Sequence, residues 1–150
     1  MQIRYLKGDA TSPIVKPAII VHVCNDIGAW GAGFVLALSQ KWNRPEKSYR
    51  DWFQNKTDFG LGSVQFVPVE PALQVANMIA QHNVGIIDDV IPLRYDALRN
   101  CLNTVYTKVK NTDQTVHMPR IGCGRAGGDW DKVEIIIGVT MTVDTYVYDF

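Results

Sequence analysis

The sequence is poor in the features that mark specialised chains. It carries no charge excess, since fifteen basic side chains meet fifteen acidic ones. No Lys/Arg run stands out either, so nucleic acid and membrane surfaces are not expected partners. No apolar stretch approaches the ~18 residues of a membrane span. Residues 1–7 lack the long apolar core of a secretory signal, and none is expected. The three cysteines, Cys24, Cys101 and Cys123, are an odd number without C-x-x-C spacing, which argues against a disulfide framework and shows no metal motif. A reducing, cytoplasmic compartment is the simplest expectation. Walker A and G-x-G-x-x-G are both missing, so the triphosphate and dinucleotide fingerprints are absent. No Ser-His-Asp order is recognisable.

What remains is the composition of an ordinary globular protein. Of 150 residues, 47% are apolar and 20% charged, enough for one domain over residues 1–150 whose core needs no staples. Alternation makes residues 2–6 an outer strand, and the β-branched run at 18–23, apolar on both faces, a central buried one. Helices are expected at 33–42 and at 44–56, where Pro45 fits a first turn. Strands at 63–67 and 73–80 pair around residues 68–71, and an irregular loop covers 81–93. Leu98, Cys101, Leu102, Val105 and Val109 form one stripe of a helix over 94–110. A short strand at 116–118 follows. Next comes a helix from about Trp130, with Val133, Ile136, Ile137 and Thr140 on one face and Asp129 or Asp131 as cap, then a last strand at 143–148. Strand and helix alternate throughout. The expected fold class is α/β, in three layers, with helices on both faces of a mixed central sheet.

Two glycine-containing segments stand out. One holds Asn25, Gly28, Trp30, Gly31, Ala32 and Gly33, between the central strand and a helix. The other holds Gly122, Cys123, Gly124, Arg125, Ala126, Gly127 and Gly128, between a strand and the helix at Trp130. Such loops gather bare backbone N–H groups and a helix N-terminus at one point, which suits an anion. Two of them suit a ligand with more than one phosphate. The same glycines would also serve plain tight turns. Both loops fall beyond the carboxyl ends of strands, where ligands sit in open α/β sheets.

Single residues carry paired readings. Asp9 either caps its turn or accepts from an exocyclic amine such as adenine N6. Asn25 either closes an Asx turn or meets sugar hydroxyls. His22 shares a strand face with Ile20 and Cys24. A histidine there is more often packed than catalytic, yet it is the imidazole nearest a phosphate loop. His82 follows a strand end and can face the cleft, whereas His117 reads as structural. Tyr146, Tyr148 and Phe150 point to one side of the last strand. Tyr148 either packs in the core or offers a base a stacking surface. Cys24 and Cys123 read as small buried apolar groups.

Five segments carry a resemblance: Tyr5-Leu6-Lys7-Gly8-Asp9-Ala10-Thr11, Val21-His22-Val23-Cys24-Asn25, Trp30-Gly31-Ala32-Gly33, Met118-Pro119-Arg120-Ile121-Gly122-Cys123-Gly124 and Tyr146-Val147-Tyr148. In this order and spacing the chain resembles the macrodomain family over almost its whole length. Within it, the chain is similar to the small branch with the terminal ADP-ribose protein glycohydrolase, the chromatin-remodeller macrodomain and the ADP-ribose-1''-phosphate phosphatases. The resemblance implies that Asp9 reads adenine N6 with the Ala10 N–H beside it. It implies that Asn25 and residues 28–33 hold the distal ribose, that residues 122–128 wrap the diphosphate, and that Tyr148 flanks the adenine. Gln81 and Ala126 stand where the glycohydrolase uses a lysine and an aspartate, which argues against its lysine chemistry. His22 keeps the histidine of the phosphatase-like members. The ligand implied is ADP-ribose or ADP-ribose-1''-phosphate, hydrolysed at the distal ribose with His22 as acid or nucleophile, without cofactor or metal. A reader of ADP-ribose without turnover, and a hydrolase acting on ADP-ribosylated protein without the Lys/Asp pair, stay open.

Overall fold

The computed structural model describes residues 3–150. Their elements run β1 (Ile3–Lys7), β2 (Ala18–Asn25), α1 (Phe34–Lys41), α2 (Arg44–Asn55), β3 (Val64–Glu70), β4 (Leu73–Gln81), α3 (Tyr95–Val109), β5 (Thr115–Met118), α4 (Trp130–Thr140) and β6 (Thr145–Asp149). The strands form one sheet in the order β1-β6-β5-β2-β4-β3. All neighbours are parallel except β3, which runs antiparallel to β4. The three-layer α/β arrangement with a mixed sheet follows.

Strand β2 explains the layering. Its alternate side chains enter two different cores. Ile19 and Val21 join Leu98, Leu102, Met118 and Ile137 beneath α3 and α4. Ala18, Ile20 and Cys24 join Leu38, Tyr49 and Ile79 beneath α1 and α2. A strand covered on both faces has no polar side to offer, which is why 18–21 is continuously apolar.

Several boundaries differ from the sequence expectation. β3 runs on through Pro68 to Glu70, past the expected end at residue 67. It is an edge strand, so a proline without an N–H can point its bare nitrogen away from the partner. The final strand spans Thr145–Asp149 rather than 143–148, and the outer strand is Ile3–Lys7; Gln2, included in the expected strand, lies outside the described residues. Asp129, not Asp131, caps α4, its side chain accepting the Asp131 N–H at 2.9 Å. The segment after β4 is ordered by its own bonds. His82 N–H donates to the Pro92 carbonyl oxygen and Arg94 N–H to that of Ala80, both at 2.8 Å. Ile87 and Val90 exchange main-chain bonds across Asp88 and Asp89, both of which have positive φ.

Candidate functional site

The chain leaves β2 toward α1 on one face of the sheet and leaves the neighbouring β5 toward α4 on the other. A crevice opens where adjacent connections diverge in this way. Two cavities occupy it. The smaller, about 190 Å³, has His22 and Val23 on its floor, Gly33, Phe34 and Val35 on one wall, and residues 119–122 and 124–126 on the other. The larger, about 510 Å³, runs between Asn25–Ala32 and Gln81–Gly85. Val23, Ala32, Val35, Gln81 and Arg125 line both, so the two form one continuous cleft.

The cleft is built for negative charge. Among the described residues no carboxylate lines either cavity, while Arg120 lines the smaller and Arg125 both. No side chain caps the N-terminus of α1, and its first turn holds no acid. Its opening residues, Phe34 and Val35, line the smaller cavity, so the positive end of that helix meets the cleft. Arg120 is fixed by a two-pronged ion pair, its Nε 2.7 Å and an Nη 3.0 Å from the Asp149 carboxylate oxygens. Its guanidinium also rests 5.1 Å from the ring centres of Tyr5 and Trp130.

Of the residues singled out by sequence, Asn25, Trp30, Gly31 and Ala32 line the larger cavity. Ala32, Gly33, Gly122, Gly124, Arg125 and Ala126 line the smaller one together with His22. Asn25 spends its side chain on the loop itself. Its oxygen accepts the N–H groups of Ile27 and Ala29 at 3.0 Å, and its nitrogen donates to the Ala29 carbonyl oxygen at 2.7 Å. Trp30 is anchored through its indole N–H to Ser39 Oγ at 2.8 Å.

Gly28, Cys123, Gly127 and Gly128 line neither cavity. Gly28 and Gly128 serve close packing instead. A Cβ at Gly28 would run into the Phe53 ring, and one at Gly128 would lie 2.6 Å from the Gly122 carbonyl oxygen. The Cys123 thiol is pushed up, by burial first and then by the Asp129 charge. Burial raises the Cys24 thiol as well. Neither cysteine is prepared as a thiolate.

His22 is 2% exposed. Its Nε2 lies 2.6 Å from Asn77 Oδ1, and Asn77 in turn donates to Gln65 and to the Pro45 carbonyl oxygen. Burial holds its pKa down to about 4, so the ring is neutral near pH 7. Asp9 does close its turn. One carboxylate oxygen accepts from the Thr11 N–H at 2.8 Å and the Thr11 hydroxyl at 2.7 Å. Partial burial pushes this carboxyl up, but the Thr11 bonds and the Lys41 charge leave it below its ordinary value. Ala10 is buried against Tyr146 and Tyr148. Tyr148 is 4% exposed, and its hydroxyl meets the Ile14 N–H at 3.0 Å and His117 Nδ1 at 2.8 Å. Phe150, two residues on, is fully exposed.

Sequence reasoning missed two groups. Tyr49, in α2, reaches the first glycine loop with its hydroxyl, which lies 2.7 Å from the Asn25 carbonyl oxygen and accepts the Gly28 N–H at 3.1 Å. Asp26 Oδ2 sits 2.7 Å from His82 Nδ1. Neither pairing has a local signal, because each joins residues far apart in the chain. The two positions noted for their departures do meet at the cleft. Gln81 lines both cavities and Ala126 the smaller.

No family model matches the chain. A Bacteroides thetaiotaomicron protein of unknown function is 51% identical, with a TM-score of 0.96 over 100% of this chain and 99% of that one. A macrodomain protein from Streptomyces coelicolor is 46% identical, with a TM-score of 0.88 over 99% of both chains. Among curated proteins, an ADP-ribose 1''-phosphate phosphatase of Lodderomyces elongisporus is 22% identical over 99% of this chain and 98% of its own length. The chain spans only 18% and 14% of the chromodomain-helicase-DNA-binding protein 1-like proteins of Mus musculus and Danio rerio that it also matches.

Proposed function

Since this chain belongs to the macrodomain family, we propose that it binds ADP-ribose along the cleft and hydrolyses ADP-ribose-1''-phosphate to ADP-ribose and phosphate. The observation that carries the reading is the continuous cleft itself: an uncapped α1 N-terminus at one wall, Arg125 lining both cavities, and no carboxylate in the lining among the described residues. Such a site stabilises a diphosphate through oriented N–H dipoles and the Arg125 cation.

In this reading the diphosphate lies in the smaller cavity between residues 33–35 and 122–126, and the distal ribose in the larger one, near Asn25. The second Asp9 oxygen, not used by Thr11, accepts from adenine N6. Phe150, exposed beside the Lys7–Asp149 pair, offers the base a face. Holding both ends of the ligand fixes the reacting group in place, which is where most of the rate gain from positioning arises. His22 belongs to the cleft floor and shapes it, because its Nε2 is engaged by Asn77. Gln81 has no amine for a Schiff base and Ala126 no base, so a lysine-dependent cleavage of ADP-ribosylated protein is disfavoured.

A binding module without turnover is the second reading, favoured by the burial of His22 and of the nearby Cys24 thiol. Two measurements separate them. Calorimetry and thermal melting with ADP-ribose test binding, with about 2.7 kcal/mol of stabilisation expected at a hundredfold excess over Kd. Phosphate release from ADP-ribose-1''-phosphate tests turnover. No heat and no melting shift at millimolar ADP-ribose would overturn both readings.

A further inference from the structure

A third cavity, about 230 Å³ in volume, adjoins the larger one at Gly85 and is lined by His82, Gly85, Ile87, Asp88, Val90 and Arg94. One strand end supplies His82 to its wall, and the neighbouring strand end backs it. Asp26 and His82 each stand one residue beyond the paired Asn25 and Gln81 of β2 and β4. Asp26 Oδ2 lies 2.7 Å from His82 Nδ1, and Asp26 Oδ1 accepts the Asn83 N–H, also at 2.7 Å. The carboxylate thus orients the imidazole and holds its proton on Nδ1, which leaves the Nε2 lone pair free. The main chain fixes the same residue through the His82 N–H bond to Pro92. Arg94, also on this cavity, donates through Nη1 to the Ile91 and Pro92 carbonyl oxygens. Its remaining guanidinium N–H groups stay available for an anion.

We propose that this cavity receives the phosphoryl group of ADP-ribose-1''-phosphate, with Arg94 as its anion contact and His82 as the general base. The proposal rests on the ADP-ribose reading above. With the distal ribose in the larger cavity, the anomeric substituent has this opening beside it. A water molecule attacks phosphorus and gives its proton to His82 Nε2 as the new O–P bond forms. The bond from phosphorus to the anomeric oxygen breaks, and that oxygen takes a proton from solvent. The imidazolium returns its proton to solvent, leaving ADP-ribose and inorganic phosphate. Asp26 acts through His82 and is a positioning residue. Asp88 also lines this cavity, and its negative charge opposes a retained anion, which favours departure of the product phosphate.

The test measures phosphate release from ADP-ribose-1''-phosphate and ADP-ribose affinity by calorimetry, for the parent, His82→Gln, Asp26→Asn and Arg94→Gln. His82→Gln should lower kcat by about 100-fold or more while ADP-ribose affinity stays within about twofold. Asp26→Asn should lower kcat less and leave KM unchanged. Arg94→Gln should raise KM at unchanged ADP-ribose affinity, since free ADP-ribose lacks the phosphoryl group. If Arg94→Gln loses its fold by circular dichroism, Arg94→Lys replaces it, with the same direction expected in KM. A parent that binds ADP-ribose but releases no phosphate overturns this proposal and leaves the binding reading standing. So does a His82→Gln variant whose kcat stays within about threefold of the parent, below the usual range for loss of an acid–base group. A parent that does not bind ADP-ribose overturns both.

Discussion

The Tyr49 hydroxyl stands 2.7 Å from the main-chain oxygen and 2.8 Å from the side-chain oxygen of Asn25, and it closes the first glycine loop by accepting the Gly28 N–H. One buried phenol therefore ties a surface helix to the end of the central strand. Burial raises its pKa above the ordinary tyrosine value, so it remains a donor at any physiological pH. Tyr49→Phe keeps the ring and removes the bond. It should cost about 1–3 kcal/mol of stability, because Asn25 and Gly28 lose a buried partner. ADP-ribose affinity should fall with it as the loop loosens. Urea unfolding and calorimetry check both; parent-like values in each would show that the hydroxyl holds nothing.

Asp9 gives one oxygen to Thr11 and, in the proposed reading, the other to the adenine amine. Asp9→Asn retains an oxygen for the two Thr11 bonds and replaces the second acceptor with a donor. Stability should change little. ADP-ribose binding should weaken by about 1–3 kcal/mol, and the preference for ADP-ribose over an analogue with inosine in place of adenosine should shrink. An equal loss for both ligands would confine Asp9 to holding the turn.

The second glycine loop separates packing from binding. A Cβ at Gly124 meets nothing within 4 Å, whereas one at Gly128 collides with the Gly122 carbonyl and with Leu93. Gly124→Glu should fold normally and lose ADP-ribose binding through bulk and like charge. Gly128→Ala should lower the melting temperature, since main-chain atoms cannot step aside. A Gly124→Glu variant that binds as tightly as the parent would remove this loop from the ligand site.

Both His22 and His117 are held neutral, burial setting each pKa at about 4. In the unfolded chain they titrate near the ordinary value of about 6.5. Between those two values the unfolded chain binds more protons than the folded one. The stability they contribute is complete above pH 6.5 or so and is lost as pH falls toward 4, on the order of 3 kcal/mol for each. His117→Gln should flatten that decline in urea titrations between pH 7 and pH 4. An unchanged slope would show that this ring does not control the acid response.

The sequence determined a great deal by itself. The order of elements, the centrality of 18–23 and the position of both glycine loops at strand ends follow from periodicity and turn chemistry, which are local properties. Cleft residues that lie within those loops, such as Gly33, Gly124 and Arg125, were legible for the same reason. Boundaries drifted where sheet position overrode a local signal, as at Pro68, tolerated because β3 is an edge.

What only the tertiary structure decided is how side chains are spent. Asn25 carries the same local pattern whether it holds a sugar or a loop, and the folded chain spends its oxygen on the Ile27 and Ala29 N–H groups and on Tyr49 arriving from α2. His22 alternates with core residues in any register, but Asn77 on the neighbouring strand is what takes its Nε2. Asp26 and His82 come together because β2 and β4 are parallel neighbours whose ends, Asn25 and Gln81, are paired, a relationship that lies in sheet order. Local sequence sets backbone preference. Hydrogen-bond partners, burial and protonation depend on groups that the chain brings together from a distance, and those are fixed only when the sheet closes.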